Sequence, residues 1–429
     1  MKSSDLSRYA LTSCTAVAML AGCGGSQPPI GATGAMPQTA AITAHTDYKT
    51  IFNFNGTDGT VPYGELLNVN GTLYGTTYSG GSSNRQGNFG TVFKITTSGV
   101  ETVLYSFKGG ADGVGPSTGL TEVNGMLYGT TIDGGDSACS PSTSGCGTIF
   151  EISPSGHERV LHRFKGAPAG LGTKDGAFPG YGWSMADVNG TLYGTTILGG
   201  ATGHGAVFQV TTSGKYAVLY SFGGGDHQHA RWDGAIPYAG VNAINGVLYG
   251  TTSNGGGGGC YGDGCGTVFS VSTSGKERLL HRYFYGPPHG RRGGVPYSGL
   301  TEVDGTLYGT TALGGAEAAG SVFKMSISGG KTPMVYSFKG SPYDGAAPTG
   351  TLIRLNGALY GTTIDGGARS AGAVFEVTPS AKETMLHSFG AGTDGAGPDG
   401  TLIVVNGTIF GTTSNGGAYG DGTVFALKP

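Results

Sequence analysis

The sequence predicts an all-β protein, a seven-bladed β-propeller built from four-stranded antiparallel blades. Three observations lead to this fold: one short phrase occurs seven times, four strand-length runs recur around each copy, and the ends of the repeated region complement each other. The chain has 429 residues, 87 of them glycine, about three times the usual share. Since no collagen-like triplet persists, the glycines are expected to mark turns between short strands.

The repeated phrase is Leu-Tyr-Gly-Thr-Thr or a close variant. Its copies are spaced by about 56 residues, and internal repeats of 20 to 50 residues or slightly more are typical of solenoids and propellers. The copies begin at Leu73, Leu127, Leu192, Leu248, Leu307, Leu359 and Ile409.

Each repeat contains the same four runs, rich in Val, Leu, Tyr, Phe and Thr and bounded by turn residues. Asn-Gly joins the first two runs in six copies, and Asp304-Gly305 joins them in the fifth. A two-residue type I′ hairpin needs positive φ at both central positions, which Asn-Gly tolerates best. Four antiparallel strands in each of seven repeats predict a propeller.

The ends of the repeated region provide a separate argument for a closed ring. The last repeat stops after its third run, at 422–428, whereas an extra run of the fourth type, 48–54, precedes the first repeat. Pairing of these two runs completes blade seven and leaves no open sheet edge.

The phrases NGtLYGTT, GG and GtVFkit together resemble those of the GloVer tandem-repeat proteins, a bacterial family whose membrane anchors vary between members. They cover residues 48–429. The resemblance implies a surface-exposed propeller and does not imply a particular reaction.

The N-terminus has a different character from the repeats. Lys2 and Arg8 precede an apolar stretch that ends in Leu20-Ala21-Gly22-Cys23, which resembles a bacterial lipoprotein signal with Cys23 as the lipidated residue. The alternative is an ordinary secretory signal with an incidental cysteine. We therefore expect a signal peptide at 1–22, a flexible tether at 23–46 and the propeller at 47–429. The protein would be a monomer held by its lipid at the outer membrane or cell surface.

The composition excludes some functions and leaves others open. Charged residues make up 12% of the chain and the net charge is −3, so there is no basic field for nucleic acid. No nucleophile elbow, phosphate loop or zinc-protease helix occurs. The leading hypothesis is a non-catalytic propeller that binds a surface carbohydrate or a protein. The alternatives are a polysaccharide hydrolase or lyase and a purely structural envelope protein.

Four cysteines outside the signal form two local pairs, Cys139 with Cys146 and Cys260 with Cys265. Exported chains meet oxidising conditions, so each pair predicts a disulfide within a loop. The alternative, a four-thiolate metal site, would require blades two and four to meet across the ring.

An Asp-Gly-x-x-Pro phrase recurs in the segment entering each blade. One interpretation is a ring of carboxylates at the channel mouth that could take Ca²⁺. The favoured interpretation is that each Asp caps its own turn. The phrase occurs at Asp58, Asp112, Asp175, Asp233, Asp344 and Asp394, with Arg292 in the fifth copy. Similarly, His162, His281 and His387 replace the fourth-run Tyr of other copies and are expected to pack.

Departures from the repeat indicate where one asymmetric ligand would bind, because equal blades offer equal surfaces. Two extra residues place Trp183 at the entry of blade three, and the segments entering blades four and five carry aromatic and basic residues. Aromatic and Arg side chains are typical of binding surfaces, whereas a His-x-His pair could instead ligate a transition metal. The alternative is that these loops vary in sequence because they have no binding function to preserve. The candidate ligand-binding residues are Trp183, Trp232, Tyr285, Arg291, Arg292, His227 and His229.

Overall fold

The computed structural model describes most of the repeated region. The described residues are 47–81, 88–135, 145–166, 175–223, 232–257, 260, 264–284, 293–390 and 393–429. The predicted signal peptide, Cys23 and the tether therefore lie outside the described residues. No helix in the described ranges is long and apolar enough to cross a membrane.

The strands form seven antiparallel sheets that follow one another along the chain, and the predicted seven-bladed propeller is confirmed. We call the four strands of a blade inner, second, third and outer. In that order, the strands of blades one to three are Leu67–Val69, Thr72–Thr77, Thr91–Thr96 and Glu101–Ser106; Thr121–Val123, Met126–Asp133, Thr148–Ile152 and Glu158–Arg163; and Ala186–Val188, Thr191–Gly199, Ala206–Thr211 and Tyr216–Ser221.

Blades four to seven repeat the pattern. Their strands are Asn242–Ile244, Val247–Thr252, Thr267–Ser272 and Glu277–Arg282; Thr301–Val303, Thr306–Thr311, Ser321–Ser326 and Met334–Ser337; Ile353–Leu355, Ala358–Gly366, Ala373–Val377 and Glu383–Ser388; and Ile403–Val405, Thr408–Thr413, Thr423–Lys428 and Asp47–Asn53. Short strands Val114–Pro116, Gly176–Pro179 and Gly345–Pro348 pair with the far end of a second strand, and a 3-10 turn spans Gly110–Asp112.

Blade seven takes its outer strand from the N-terminal side of the repeats, as the sequence predicts. Asp47 pairs with Lys428 and Asn53 pairs with Thr423, and the Phe54 N–H donates to the Gly422 carbonyl at 3.1 Å. The pairing completes the four strands of blade seven and so closes the ring.

Each residue of the repeated phrase has a structural role, shown here for blade one. Leu73 is fully buried. Gly75 faces the Phe93 ring of the third strand, where an added Cβ would lie 2.5 Å from a ring carbon. Thr76 donates to the carbonyl of Thr118 in the next blade, and Thr77 shares a 2.8 Å hydrogen bond with Thr91 of the third strand. The phrase therefore recurs because it packs and bonds one blade to the next.

The turns that follow the inner strands have the backbone that Asn-Gly favours. In blade one, Asn70 has φ of 52° and Gly71 has φ of 83°, as a type I′ turn requires. The core lies between blades: each of the seven clusters of buried apolar side chains combines residues of two neighbouring sheets. A blade therefore depends on its neighbours for its core.

Candidate functional site

The repeated aspartates lie in the connections, the segments that run from the outer strand of one blade to the inner strand of the next. Each of the six accepts a hydrogen bond from a backbone N–H that lies three to ten residues upstream, which is the geometry of the capping interpretation. The donors are Asn55, Lys108, Lys165, Gly223, Lys339 and Gly390.

Most of these carboxylates also contact a Tyr or His of the preceding outer strand. Asp112, Asp233 and Asp344 accept from Tyr105, Tyr220 and Tyr336, Asp394 is 3.0 Å from His387 Nε2, and Asp175 is 3.4 Å from His162 Nε2. These contacts place the repeated carboxylates at the outer strands rather than around the channel. Among the described residues, no group of three or more His, Cys, Asp and Glu could hold a metal ion.

A cleft of about 390 Å³ opens at the outer strands between blades three and four, and we call it the rim cleft. Its lining comprises Tyr220, Trp232, Asp233, Glu277, Leu279 and Arg282. Trp232 comes directly before the repeated Asp233, and this position brings its half-buried indole to the rim. The structure thus places one sequence-predicted ligand residue in a cleft.

The indole has an aromatic neighbour that the sequence reasoning missed. Phe284 follows the outer strand of blade four and is 44% exposed. A Cβ added to Gly257 would lie 3.1 Å from the Phe284 ring and 3.5 Å from the Trp232 ring, so both rings sit over this glycine. The available signal was that Phe284 extends past the buried aromatic that ends each outer run, here Tyr283.

Polar groups of both signs surround the indole. The Nε of Arg282 is buried and has no hydrogen-bond partner among the described residues. At the equivalent place in blade two, Arg163 donates to the Ala111 carbonyl at 3.0 Å. Asp233 is held by the Tyr220 hydroxyl and the Gly223 N–H. Arg282 and Trp232 both line the rim cleft, so a guanidinium group lies beside an aromatic face.

Trp183 lies elsewhere, near the propeller axis. Only 9% of the residue is exposed, and its Nε1–H donates to the Thr351 hydroxyl of blade six. Between these two residues lie Gly240 and Gly299, where an added Cβ would be 3.2 Å and 3.5 Å from Trp183 atoms. The indole therefore spans the channel from blade three to blade six instead of joining Trp232 at the rim.

The two-residue insertion of blade three accounts for this position. The Gly182 N–H donates to the Ser117 carbonyl, and the Gly182 carbonyl accepts from the Glu65 N–H at 3.1 Å. The Glu65 carboxylate accepts from the Ser184 hydroxyl at 3.3 Å, and burial raises its pKa to about 7. Although Glu65 keeps some surface accessible to water, its carboxylate is surrounded by protein. The insertion and Glu65 thus lie beside Trp183 in the channel. We call this part of the channel, around Glu65, Trp183 and Thr351, the neck.

A second cleft of about 330 Å³ begins at this neck and follows the inner strands. Its lining includes Glu65, Trp183, Asp187, Glu302 and Thr401. Asp187 and Glu302 each cap a hairpin turn, by accepting from the N–H groups of Gly190 and Gly305. These acidic groups are thus part of the hairpin structure.

Several predicted residues lie outside the described residues: Tyr285, Arg291, Arg292, His227, His229 and Cys139. Cys146 is disulfide-bonded. The structure joins Cys260 to Cys265 with Cα atoms 5.1 Å apart, within the range of disulfides. The predicted packing of His162 and His387 is seen in stacked contacts with Tyr216 and Tyr48, at 3.8 Å and 3.6 Å between ring centroids.

Comparison with known proteins identifies the repeats. The family model described as Gloeobacter/Verrucomicrobia repeat matches residues 38–263 and 257–429. None of the curated protein sequences matches the chain. A gluconolactonase from Xanthomonas campestris is similar in structure at a TM-score of 0.39 and 11% identity, over 71% of this chain and 82% of the enzyme.

A luciferin-regenerating enzyme is similar at a TM-score of 0.41 and 10% identity, over 90% of this chain and 95% of the enzyme. Structural similarity at these TM-scores does not indicate an activity for this chain.

Proposed function

Since the chain belongs to the Gloeobacter/Verrucomicrobia repeat family, we propose that it is a non-catalytic binding propeller that holds a carbohydrate in the rim cleft. The observation that supports this function best is the Trp232 indole, which lines the cleft together with Arg282 and meets the Phe284 ring over Gly257. The apolar face of a sugar ring stacks on aromatic side chains, while its hydroxyls hydrogen-bond to a few polar groups at the edge.

The carboxylates of the rim cleft favour binding over turnover. A glycosidase needs one carboxylic acid and one carboxylate free to act on the scissile bond. Asp233 is occupied by Tyr220 and Gly223. Asp233 and Glu277 line the cleft together, and the equivalent residues interact at other blade boundaries, as Asp112 with Glu158 and Asp344 with Glu383. A carboxylate pair repeated around the ring is part of the scaffold.

Binding is tested by titrating the purified protein with neutral and acidic oligosaccharides and analysing the products. Trp232→Ala and Phe284→Ala are each expected to weaken binding about tenfold or more. Tyr419→Ala, at a residue 67% exposed in blade seven, is the matched control. Wild-type affinity in both cleft variants would remove the rim cleft from the proposal, and cleavage of the sugar would replace binding by catalysis.

We also propose that the protein is exported and held at the cell envelope by a lipid on Cys23, for which the sequence around 20–23 is the support. Cys23→Ser should release the protein from the membrane fraction and abolish incorporation of a labelled fatty acid. Unchanged fractionation and labelling would contradict the anchor.

A further inference from the structure

The boundaries between blades are of two kinds, and the difference involves two positions that change together. One position is the Tyr or His near the end of an outer strand; the other is the residue near the start of the next outer strand that faces it. Tyr is followed by Glu, whereas His is followed by Tyr or Thr. The pairs are Tyr105 with Glu158, Tyr220 with Glu277, Tyr336 with Glu383, His162 with Tyr216, His281 with Thr332, and His387 with Tyr48.

A boundary with Tyr, Asp and Glu has too few hydrogen atoms for its acceptors. Between blades five and six, the Tyr336 hydroxyl is 2.7 Å from Asp344 Oδ2 and 3.4 Å from Glu383 Oε2. One hydroxyl carries one hydrogen, so it can donate to only one of the two carboxylates. Glu383 Oε1 is buried and has no hydrogen-bond partner among the described residues, and an ionised carboxylate in that position is unfavourable.

The same shortage occurs at two further boundaries. Tyr105 donates to Asp112, which leaves the neighbouring Glu158 with a buried Oε1 for which the described part of the chain offers no partner. At the ring closure, Phe52 stands in the Tyr position and offers no hydroxyl. Glu101 Oε1 beside Asp58 is also buried and finds no partner in the ranges that the structure describes.

A boundary with His supplies enough donors. His387 Nε2 is 3.0 Å from Asp394, and the Tyr48 ring that stacks on His387 donates its hydroxyl to the Asp394 carbonyl at 2.6 Å. The ring nitrogen and a hydroxyl take the place of a second carboxyl. No additional proton is needed to satisfy this arrangement.

We propose that the three boundaries built on Glu101, Glu158 and Glu383 each hold one extra proton shared with the neighbouring Asp, which makes the rim of the propeller a proton-dependent lock between blades. A carboxylic acid at Glu383 could donate through Oε2 to the Tyr336 hydroxyl, which itself donates to Asp344. The unpartnered Oε1 would then be a neutral carbonyl oxygen and not part of a buried charge. Two carboxyls that share a site cannot both ionise readily.

The charged surroundings of the three glutamates agree with this arrangement. Burial, and then the charge of Asp344, raises the pKa of Glu383 to about 7, against lowering contributions from Tyr336 and Lys339. Burial and Asp112 likewise raise the pKa of Glu158 to about 7, with Lys108 opposing. Burial and Asp58 raise the pKa of Glu101 to about 7, and Asp421 lies near Asp58.

The direction of the pH effect follows from linkage. Glu in the unfolded chain ionises near its ordinary pKa of 4.5, whereas these three ionise near 7 in the folded protein. The folded state therefore binds more protons between these values. The stability that these three protons contribute is fully present below about pH 4.5 and is lost as pH rises through about 7. The unfolding constant rises by up to about tenfold per pH unit for each boundary.

The test is urea unfolding of the full chain at half-unit steps from pH 5 to pH 8.5. In the wild type, the unfolding constant should rise with pH across this range. Glu383→Gln and Glu158→Gln each supply a permanent N–H donor. Each should lower the slope of the logarithm of the unfolding constant against pH by up to about one, and each should make the variant more stable than the wild type at pH 8. Glu317→Gln, at an exposed loop residue, should change neither property.

Three results would overturn the proposal. One is a wild-type stability that does not change across the pH range. Another is an unchanged slope in both Gln variants, whatever their absolute stability. The third is stabilisation of the wild type by millimolar Ca²⁺ at pH 8 that both Gln variants lack, which would assign the paired carboxyls to a cation instead of a proton. Should either Gln variant fail to fold, the double change Tyr105→His with Glu158→Tyr converts that boundary to the other kind and should also lower the slope.

Discussion

The chain has two tryptophans, and the propeller uses them in opposite ways. Trp183 lies at the axis, almost fully buried, with its ring nitrogen bonded to blade six. Trp232 lies at the rim beside Phe284, half-buried and next to polar side chains. Both interrupt the repeat in a segment that enters a blade, and the sequence assigned both to one ligand surface.

The two tryptophans show that the place of a residue within the connection decides the environment of its side chain. Trp232 immediately precedes the repeated Asp, which is tied to the outer strand behind it. Trp183 follows the repeated Pro179 and precedes the inner strand of its blade, so it lies where seven inner strands converge. An inserted residue before the repeated Asp therefore lies at the rim, and one after the repeated Pro lies at the channel.

The largest expected loss of stability comes from deleting the closing strand, and the effects of the tryptophan substitutions are compared with it. Deletion of residues 1–55 removes the outer strand of blade seven together with Phe54, which is fully buried. The truncated protein should be unfolded or aggregated because it exposes both a strand edge and an interblade core. Deletion of residues 1–44 should leave the melting temperature unchanged, and equal melting temperatures for the two truncations would contradict ring closure.

Trp183→Ala should be the most destabilising of the tryptophan substitutions, by about 3–5 kcal/mol, because it leaves a cavity at the axis. Urea unfolding at a pH near 6 measures the effect. A loss below about 1 kcal/mol would mean that the indole is dispensable to the neck, and Trp183 would then belong with Trp232 among the ligand residues.

A smaller effect isolates the hydrogen bond across the axis. Trp183→Phe keeps most of the ring volume but removes the donor to Thr351, and it should cost about 1–2 kcal/mol. Thr351→Val removes the acceptor that also serves the Gly299 N–H at 3.0 Å, so it should cost more. Combining the two changes should reveal a coupling of about 1 kcal/mol, whereas additive losses would argue against the bond.

The smallest expected effect is that of Trp232→Ala on stability, below about 1 kcal/mol, because the indole is only half-buried. Fluorescence quenching by acrylamide provides a second readout. Trp232→Phe leaves only Trp183 as emitter and should resist quenching, whereas Trp183→Phe leaves the accessible Trp232 and should be quenched readily. Similar quenching in both variants would contradict the two environments.

The sequence by itself determined the blade count, the strand order, the hairpin turns and the closing strand. These features depend on residues close together in the chain or on a regular period: Asn70-Gly71 sets its own backbone, and the unmatched runs at 48–54 and 422–428 can complete a blade only with each other. The Leu-Tyr-Gly-Thr-Thr phrase predicted strands because its pattern is repeated and its turns are local.

Only the tertiary structure decided which side chains meet across blades. The partner of Trp183 is 168 residues away in blade six, and Phe284 reaches Trp232 through the space over Gly257. Tyr336 stands between Asp344 of the following connection and Glu383 of the next outer strand. The period of the repeat is the same at every blade, so it carries no information about the distance from the axis at which an inserted residue comes to lie. That distance is set by the packing of seven sheets around one centre, where burial and hydrogen-bond partners come from several repeats at once.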